Sequence, residues 1–354
     1  MLRPAHSSLV QLAIPDEVIL RVAGLTKHFK TGKAAGEILR AVDDVSFDVP
    51  VGRTLAIVGE SGCGKTTTAR CILKALQPTS GSIWFRTASG TVVDLATLDA
   101  EQIRPLRTEL QMVFQDPYSS LNPRMTVRDI VGEPLVIHGV KDRAEIEQRV
   151  GELLELVGLR RDHMTRYPNA FSGGQRQRIG IARALALRPR LIVADEAVSA
   201  LDVSVQAQIL NLLLDLQDAF HLSYVFVAHD LSVVKHVSDR VGVMYVGRMV
   251  ELAACEPLFE RPLHPYTAAL LAAAPKPDPS RRNATRPPCG EAASARNPPS
   301  GCHFHPRCPY AVDRCRQETP AWREAAPLRF VRCHRAEELE LPGVEPQAAV
   351  LAEA

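Results

Sequence analysis

The stretch Gly59-Glu60-Ser61-Gly62-Cys63-Gly64-Lys65-Thr66 follows the apolar run Thr54 to Val58 and precedes a helix-like segment, Thr67 to Leu76. It fits G-x-x-x-x-G-K-[ST] in the strand, loop, helix context that gives this pattern its meaning. Glycines let backbone N–H groups curl around a phosphate, and the helix N-terminus adds partial positive charge. Lys65 can then reach the β and γ oxygens of a nucleoside triphosphate, and Thr66 can ligate Mg²⁺. The loop residues Gly59 to Thr66, with Thr67 behind them, are the first candidate nucleotide-binding set.

Outward from this loop, Leu191 to Ala194 and Tyr224 to Ala228 are further short apolar runs, as expected of central parallel strands covered on both faces. Val45, Phe47 and Val49 alternate with period two and predict a half-buried strand in the N-terminal part. Ile146, Val150, Leu153, Leu154 and Val157 follow helical spacing, and residues 116 to 170 read as mainly helical. The fold class is α/β.

Asp195-Glu196 ends the Leu191 strand, where a phosphate-loop protein needs a carboxylate for Mg²⁺ or its waters. Asp195 takes that role. Glu196, one residue later, is placed to polarise an attacking water as general base. Phe171-Ser172-Gly173-Gly174-Gln175 opens a second glycine-bearing helix start, hence a second anion-binding surface. One nucleotide does not need two such cradles in one chain.

The 354 residues allow two or three domains. With 46% hydrophobic and 23% charged residues, the composition is that of a globular chain and excludes collagen, coiled coil and disorder. Forty-two basic against 40 acidic side chains give +2, too even a balance for global nucleic-acid binding. No apolar run is long enough to cross a bilayer, and Asp16 and Glu17 interrupt the N-terminus before it can read as a signal peptide. A cytoplasmic location is expected.

Sixteen of the 26 prolines lie at or after Pro257, and six of the eight cysteines at or after Cys255, so a composition boundary falls near residue 255. Residues 256 to 300 read as a Pro-rich linker, followed by a Cys-rich module over 301–340 and a tail, 341–354. Cys302, Cys308, Cys315 and Cys333 gather in a segment too small to be stabilised by apolar burial alone. Their gaps are wider than the usual zinc spacing, while four thiolates also suit a [4Fe–4S] cluster. Zinc is the alternative, with His303, His305 and His334 as competing ligands, and unmetallated thiols are a third reading. Ten arginines against four carboxylates over residues 281–334 give this part a positive balance, but aromatic residues for base stacking are sparse.

In this order, the phosphate loop, Gln115, Ser172-Gly-Gly-Gln175, Asp195-Glu196 and His229 make the chain resemble the ATP-binding cassette (ABC) ATPases over residues 18 to 255, with residues 1–17 as an extension. That resemblance implies a P-loop core with an antiparallel β subdomain and an inserted α-helical subdomain near residues 116–180. It also implies a head-to-tail dimer, in which Ser172, Gly173, Gly174 and Gln175 of one subunit close on the nucleotide held by the other. By the same carry-over, Gln115 contacts Mg²⁺ or the attacking water and His229 binds the γ-phosphate. Phe29 stacks on adenine, and Asp202 reports across the interface. The family commonly has proline after the acidic pair, where this chain has Ala197, so the local backbone is expected to be less constrained.

Val113-Phe-Gln-Asp-Pro-Tyr-Ser-Ser-Leu-Asn-Pro123, Asp202 to Leu210 and Leu263-His-Pro-Tyr-Thr267 are similar to the oligopeptide/dipeptide importer branch, and Tyr118-Ser-Ser to its F-type ATPase subunit. This implies an ATPase paired with a second ATPase subunit, at the cytoplasmic face of the membrane, under two transmembrane permease subunits fed by an extracytoplasmic solute-binding protein. Similar C-terminal cysteine sets in that branch are associated with a [4Fe–4S] cluster. Nickel-chelate or glutathione import stays open for the solute. Two other classes are a non-transport cassette ATPase acting on DNA repair or ribosomes, and an iron–sulfur regulated nucleotide switch, which predicts ATPase activity that responds to cluster state. The first would normally show a coiled-coil insertion or two cassettes in one chain, and neither is seen.

Overall fold

The computed structural model describes residues 14–30, 38–273 and 293–344. Most of the proposed N-terminal extension, much of the Pro-rich linker with Cys289, and most of the tail lie outside the described residues.

Two sheets organise the chain. The first is antiparallel, with order β2-β1-β4-β5, and contains β1 (Val18–Lys30), β2 (Ile38–Pro50), β4 (Ser80–Arg86) and β5 (Val92–Asp94). The period-two residues Val45, Phe47 and Val49 lie in β2, and all three are buried. The second sheet has eight strands in the order β11-β12-β10-β9-β3-β8-β7-β6. Its parallel centre is β6 (Leu110–Val113), β7 (Leu191–Asp195), β8 (Ser223–Val227), β3 (Thr54–Val58) and β9 (Arg240–Tyr245). Every residue of β3, β7 and β8 is buried, which is why these runs carry no polar alternation.

Helices cover the sheet. α1 (Lys65–Ile72) follows the phosphate loop and stops short of Leu76, because Lys74 takes a left-handed conformation. α2 (Ala100–Leu106) starts in a capping box made by Asp99 and Gln102. α3 (Val127–Ile137), α4 (Arg143–Leu156) and α5 (Gly173–Leu185) pack on one another as a helical layer. The spacing seen in the sequence places Val150 and Leu154 in α4, with Val157 at its C-cap, all three fully buried. The layer is less continuous than the sequence suggests: Asp116 to Ser120 form turns, residues 161–170 form two short 3₁₀ turns, and α5 runs past residue 180. α6 (Val203–Phe220) and α7 (Leu231–Val237) complete the core.

Two expectations for the C-terminal part need correction. Residues 256–273 are not linker: α8 (Cys255–Glu260) and α9 (Pro265–Ala273) occupy them. The sharp entry to α9 is built on Glu251, a fully buried carboxylate in β10 (Arg248–Ala254) that accepts the backbone N–H groups of Leu263 and His264 at 2.8 and 2.9 Å. Nor is the Cys-bearing segment a separate body. It carries α10 (Asp313–Gln317), β11 (Arg323–Ala326) and β12 (Arg329–Val331), and β12 pairs antiparallel with β10. The segment thus extends the nucleotide-side sheet, and the shift to proline and cysteine near residue 255 marks a change of composition without a break in the fold.

Candidate active site

The site lies where the parallel strands β3, β7 and β8 end, the end at which open α/β sheets take their ligands. Gly59 to Gly64 turn the chain from β3 into α1. A Cβ at Gly59 would stand 2.2 Å from Met244 O, and one at Gly64 2.2 Å from Ala41 O, with φ at +151° and +112°. Only glycine fits both positions. Lys65 is buried, and its ammonium donates to Gly59 O at 2.8 Å and Glu60 O at 3.1 Å. The loop therefore presents a buried cation among backbone N–H groups, which is an anion site. Ser61 and Gly62 are exposed at its tip, while Thr67 is half-buried behind it.

Thr66 Oγ1 donates to Asp195 Oδ1 at 3.0 Å, joining the loop to the end of β7. Burial pushes the Asp195 carboxyl above its ordinary range, the Thr66 hydrogen bond opposes that rise, and neighbouring Glu196 adds to it. Two hard oxygen donors at this spacing suit Mg²⁺. Glu196 Oε2 accepts from Gln115 Nε2 at 2.8 Å and lies 3.4 Å from His229 Nδ1. Four residues singled out from separate parts of the sequence thus meet: Gln115 after β6, Asp195 at the end of β7 with Glu196 just beyond it, and His229 after β8.

Glu196 holds φ +47°, an unusual backbone conformation for a non-glycine residue. Its N–H donates to Val227 O at 2.9 Å, and its carbonyl accepts from Ser199 N at 3.1 Å and Ser199 Oγ at 3.0 Å. Ala197, in the place where proline is common, is 1% exposed. The turn after the acidic pair is therefore pinned by Ser199 and by packing, and the expected looseness at Ala197 is not what the structure has. Cys63 is buried, and burial pushes its thiol up despite Lys65 nearby. It fills space.

Ser172 to Gln175 are not part of this cluster. Ser172 caps α5, with Gln175 N donating to Ser172 Oγ and Ser172 N donating to Gln175 Oε1 at 3.1 Å. Ser172 is exposed, and among the described residues no hydrogen bond joins 172–175 to 59–67. Gly174 is buried, and a Cβ there would meet Val205 Cγ1 at 2.4 Å. Phe29 sits on β1 opposite Leu39, with the Lys27 ammonium 4.8 Å from its ring centroid.

The cysteines Cys302, Cys308, Cys315 and Cys333 line one small cavity, together with His264 and Phe304. Burial pushes the thiols of Cys302, Cys308 and Cys333 up to about 11. Among the described residues, no group of three or more His, Cys, Asp or Glu side chains is disposed to hold a metal ion. A single zinc would need its thiolates about 3.8 Å apart, from tetrahedral bonds of about 2.3 Å, so the zinc alternative finds no geometric support. Of the histidines named as competing ligands, His305 Nδ1 donates to Cys302 O and His334 Nε2 to Glu318 O, while the Nδ1 of His303 has no hydrogen-bond partner among the described residues. His303 is buried, and burial lowers it to about 4, so it is neutral.

Two residues at the loop were not singled out from sequence. The Tyr266 hydroxyl accepts the Glu60 N–H at 2.9 Å, and Arg307 reaches the Glu60 carboxylate with both guanidinium arms. Tyr266 stood in a recognised His-Pro-Tyr triplet, whose spacing says nothing of its target. Arg307 lay unmarked among the cysteines.

The ABC transporter family model matches residues 42–199, and the model of the oligopeptide/dipeptide transporter C-terminal region matches 250–315. The chain is 53% identical over 323 residues to the probable peptide ABC transporter ATP-binding protein y4tS of Sinorhizobium fredii, with 90% of each chain covered. It is 49% identical to the oligopeptide transport ATP-binding protein AppF of Bacillus subtilis, over 91% of this chain and 98% of that one. Among solved structures it is similar to the dimeric post-hydrolysis state of the ATP-binding cassette MJ0796 bound to ADP and phosphate. That likeness has a TM-score of 0.60 and 29% identity, and covers 67% of this chain and 99% of the other. With the phosphate loop, the acidic pair, Gln115 and His229 arranged as described, the chain belongs to the ABC transporter family, as an ATP-hydrolysing ATP-binding subunit.

Proposed function

We propose that this subunit drives import of dipeptides or oligopeptides, hydrolysing ATP at the cytoplasmic face of two transmembrane permease subunits. The observation that carries this reading is the meeting of Thr66 with Asp195, and of Gln115 and His229 with Glu196, at the phosphate loop of a chain whose C-terminal region matches the oligopeptide/dipeptide type. Among the described residues no helix is long and apolar enough to cross a membrane, and in this reading the translocation path is formed by the permease subunits. Val136, Ile137 and Leu156 leave apolar surface exposed on the helical layer, a face suited to such partners.

In the proposed cycle the backbone N–H groups of residues 59–67 and the Lys65 ammonium hold the phosphates, and Phe29 stacks on adenine. Thr66, Gln115 and Asp195 hold Mg²⁺, which would neutralise charge on the transferred phosphoryl group. Glu196 takes a proton from the attacking water. Gln115 and His229 orient its carboxylate, and His229 also contacts the γ-phosphate. Ser172 to Gln175 meet the nucleotide of a second ATPase subunit across a head-to-tail dimer, which fits the exposure of Ser172 and the separation of this segment from the loop of its own chain. An extracytoplasmic solute-binding protein delivers the peptide.

The thiols of Cys302, Cys308, Cys315 and Cys333 are the proposed ligands of a [4Fe–4S] cluster. What supports this is their convergence on one cavity, and a four-iron cubane sets its thiolates farther apart than one ion does. Coordination would also satisfy the buried thiols of Cys315 and Cys333.

Co-purification of the tagged chain from native membranes tests the transport reading, with an iron and sulfide assay on the same sample. Two permease subunits and a second ATPase are expected, with about four irons per chain. Recovery with nucleic acid or ribosomes and without membrane partners overturns the transport assignment, and iron-free protein prepared without oxygen overturns the cluster.

A further inference from the structure

The C-terminal segment touches the phosphate loop at one residue, and it does so twice. Arg307 Nη1 and Nη2 donate to the two Glu60 carboxylate oxygens at 2.9 and 3.0 Å, a two-armed pairing across 247 positions of sequence. Tyr266, itself fully buried, accepts the Glu60 N–H at 2.9 Å. Both side chains are backed by an aromatic cluster: Tyr245 and Tyr266 rings lie 4.6 Å apart, and Phe304 stands 5.3 and 5.4 Å from them. The Arg307 guanidinium lies 5.9 Å from Phe304 and 6.0 Å from Tyr245. Its backbone is fixed by the turn that carries Cys302 and Cys308, where Arg307 N donates to Phe304 O at 3.0 Å.

The charge arrangement has a direct consequence. Glu60 is an acidic side chain inside a loop built to take the charge of a triphosphate, and uncompensated it would repel that ligand. Arg307 is 10% exposed and Glu60 28%, so their pairing is less screened than one on the open surface. A fork of two charge-assisted bonds also fixes where the carboxylate points.

We propose that Arg307 and Tyr266 are positioning residues for nucleotide binding: by neutralising and anchoring Glu60 they let the C-terminal segment set how tightly the phosphate loop holds ATP. This rests on the assignment of residues 59–67 as the ATP site. It gives the C-terminal segment a role at the catalytic core, and it makes the turn bearing Cys302 and Cys308 a route by which changes at the four thiols would reach the nucleotide.

The test is equilibrium binding of a non-hydrolysable ATP analogue with Mg²⁺ to the full chain, comparing wild type, Arg307→Ala, Arg307→Lys, Glu60→Gln and the Arg307→Ala/Glu60→Gln double variant. Arg307→Ala is expected to raise Kd about five- to tenfold, the effect of one unpaired charge at partly screened range. Arg307→Lys keeps the charge but not the fork and is expected to lose less. In the Glu60→Gln background, removing Arg307 is expected to cost less than about twofold, because the charge to be neutralised is gone. In hydrolysis the same loss is expected in KM, with kcat at saturating ATP changing far less. A Kd for Arg307→Ala within twofold of wild type overturns the proposal, as does a loss of equal size with and without Glu60. Should Arg307→Ala fail to fold, the Arg307→Lys and Arg307→Lys/Glu60→Gln pair gives the same comparison. Failure of wild type to bind, or a Lys65→Ala variant that binds like wild type, counts against the ATP site itself.

Discussion

The Thr66 hydroxyl and the Asp195 carboxylate are 3.0 Å apart and hydrogen-bonded, which ties the first turn of α1 to the end of β7. The bond satisfies one lone pair of a carboxylate that is 4% exposed, and burial still holds its pKa above the ordinary value. A carboxyl raised in the folded state opposes folding when ionised, and this penalty disappears as pH falls through its raised pKa. Mg²⁺ has the opposite preference, for the ionised form.

Asp195→Asn should therefore raise the melting temperature of the nucleotide-free chain at neutral pH while abolishing Mg²⁺-dependent hydrolysis. The gain is expected because the substitution removes a charge that burial disfavours. Wild-type Mg²⁺ affinity should in turn weaken on acidification before a solvent-exposed carboxylate near pKa 3.9 would titrate. Thermal melts of both proteins, with Mg²⁺ titrations across pH, check the two signs. A destabilised Asp195→Asn protein would count against them.

Glu196→Gln should keep ATP binding and lower hydrolysis by about 10²–10⁴-fold, the usual contribution of a positioned base. Gln115 and His229 both face the Glu196 carboxylate, so the amide can stay in place without accepting a proton. Phosphate release at saturating ATP, with chromatography in ATP to detect a trapped dimer, measures both effects. Hydrolysis at the wild-type rate would end the assignment of Glu196 as base.

The central sheet and the catalytic cluster were legible because their signals are local. β3, β7 and β8 announce themselves as short buried apolar runs, and the loop, the acidic pair, Gln115 and His229 each lie at or just past the end of one parallel strand. The ties between distant segments were not legible. Nothing near Glu60 in sequence says that Arg307 and Tyr266 will hold it, and nothing in β12 says that it will pair with β10. The Pro-rich composition after residue 255 also hid α8 and α9. A buried acceptor, Glu251, receives the N–H groups just before α9 and so permits an abrupt turn that reads as linker.

Tyr266→Phe removes one oxygen from a fully buried ring and leaves the Glu60 N–H without its acceptor. The ring packing with Tyr245 and Phe304 survives, so the cost is that of one lost hydrogen bond to a partly buried donor, about 1 kcal/mol. Tyr266→Ala also opens a cavity in the aromatic cluster and is expected to cost about 3–5 kcal/mol, as large-to-small aromatic changes do. Chemical denaturation of the three proteins checks the order. Equal losses in the two variants would mean that the hydroxyl carries the whole effect and the ring packing adds nothing, whereas a Tyr266→Phe protein as stable as wild type would mean that packing alone matters.

Gly174→Ala probes the second glycine-bearing helix start, where conformation is not the issue and space is. The added methyl would stand 2.4 Å from Val205 Cγ1, so the start of α5 must move away from α6 or Val205 must leave its rotamer. Overpacking of this kind costs about 1–3 kcal/mol. Val205→Ala removes the obstructing methyl groups, and the double variant should recover most of the loss, giving a coupling energy well above the error expected for independent sites. Ser172 caps the same helix and is exposed beside it, so any tilt of α5 moves the surface proposed to meet the second subunit. Gly174→Ala should thus lose ATP-dependent dimerisation while keeping ATP binding at its own phosphate loop, and Val205→Ala should restore the dimer along with the stability. If stability returns and dimerisation does not, the small residue at 174 is required at the interface itself.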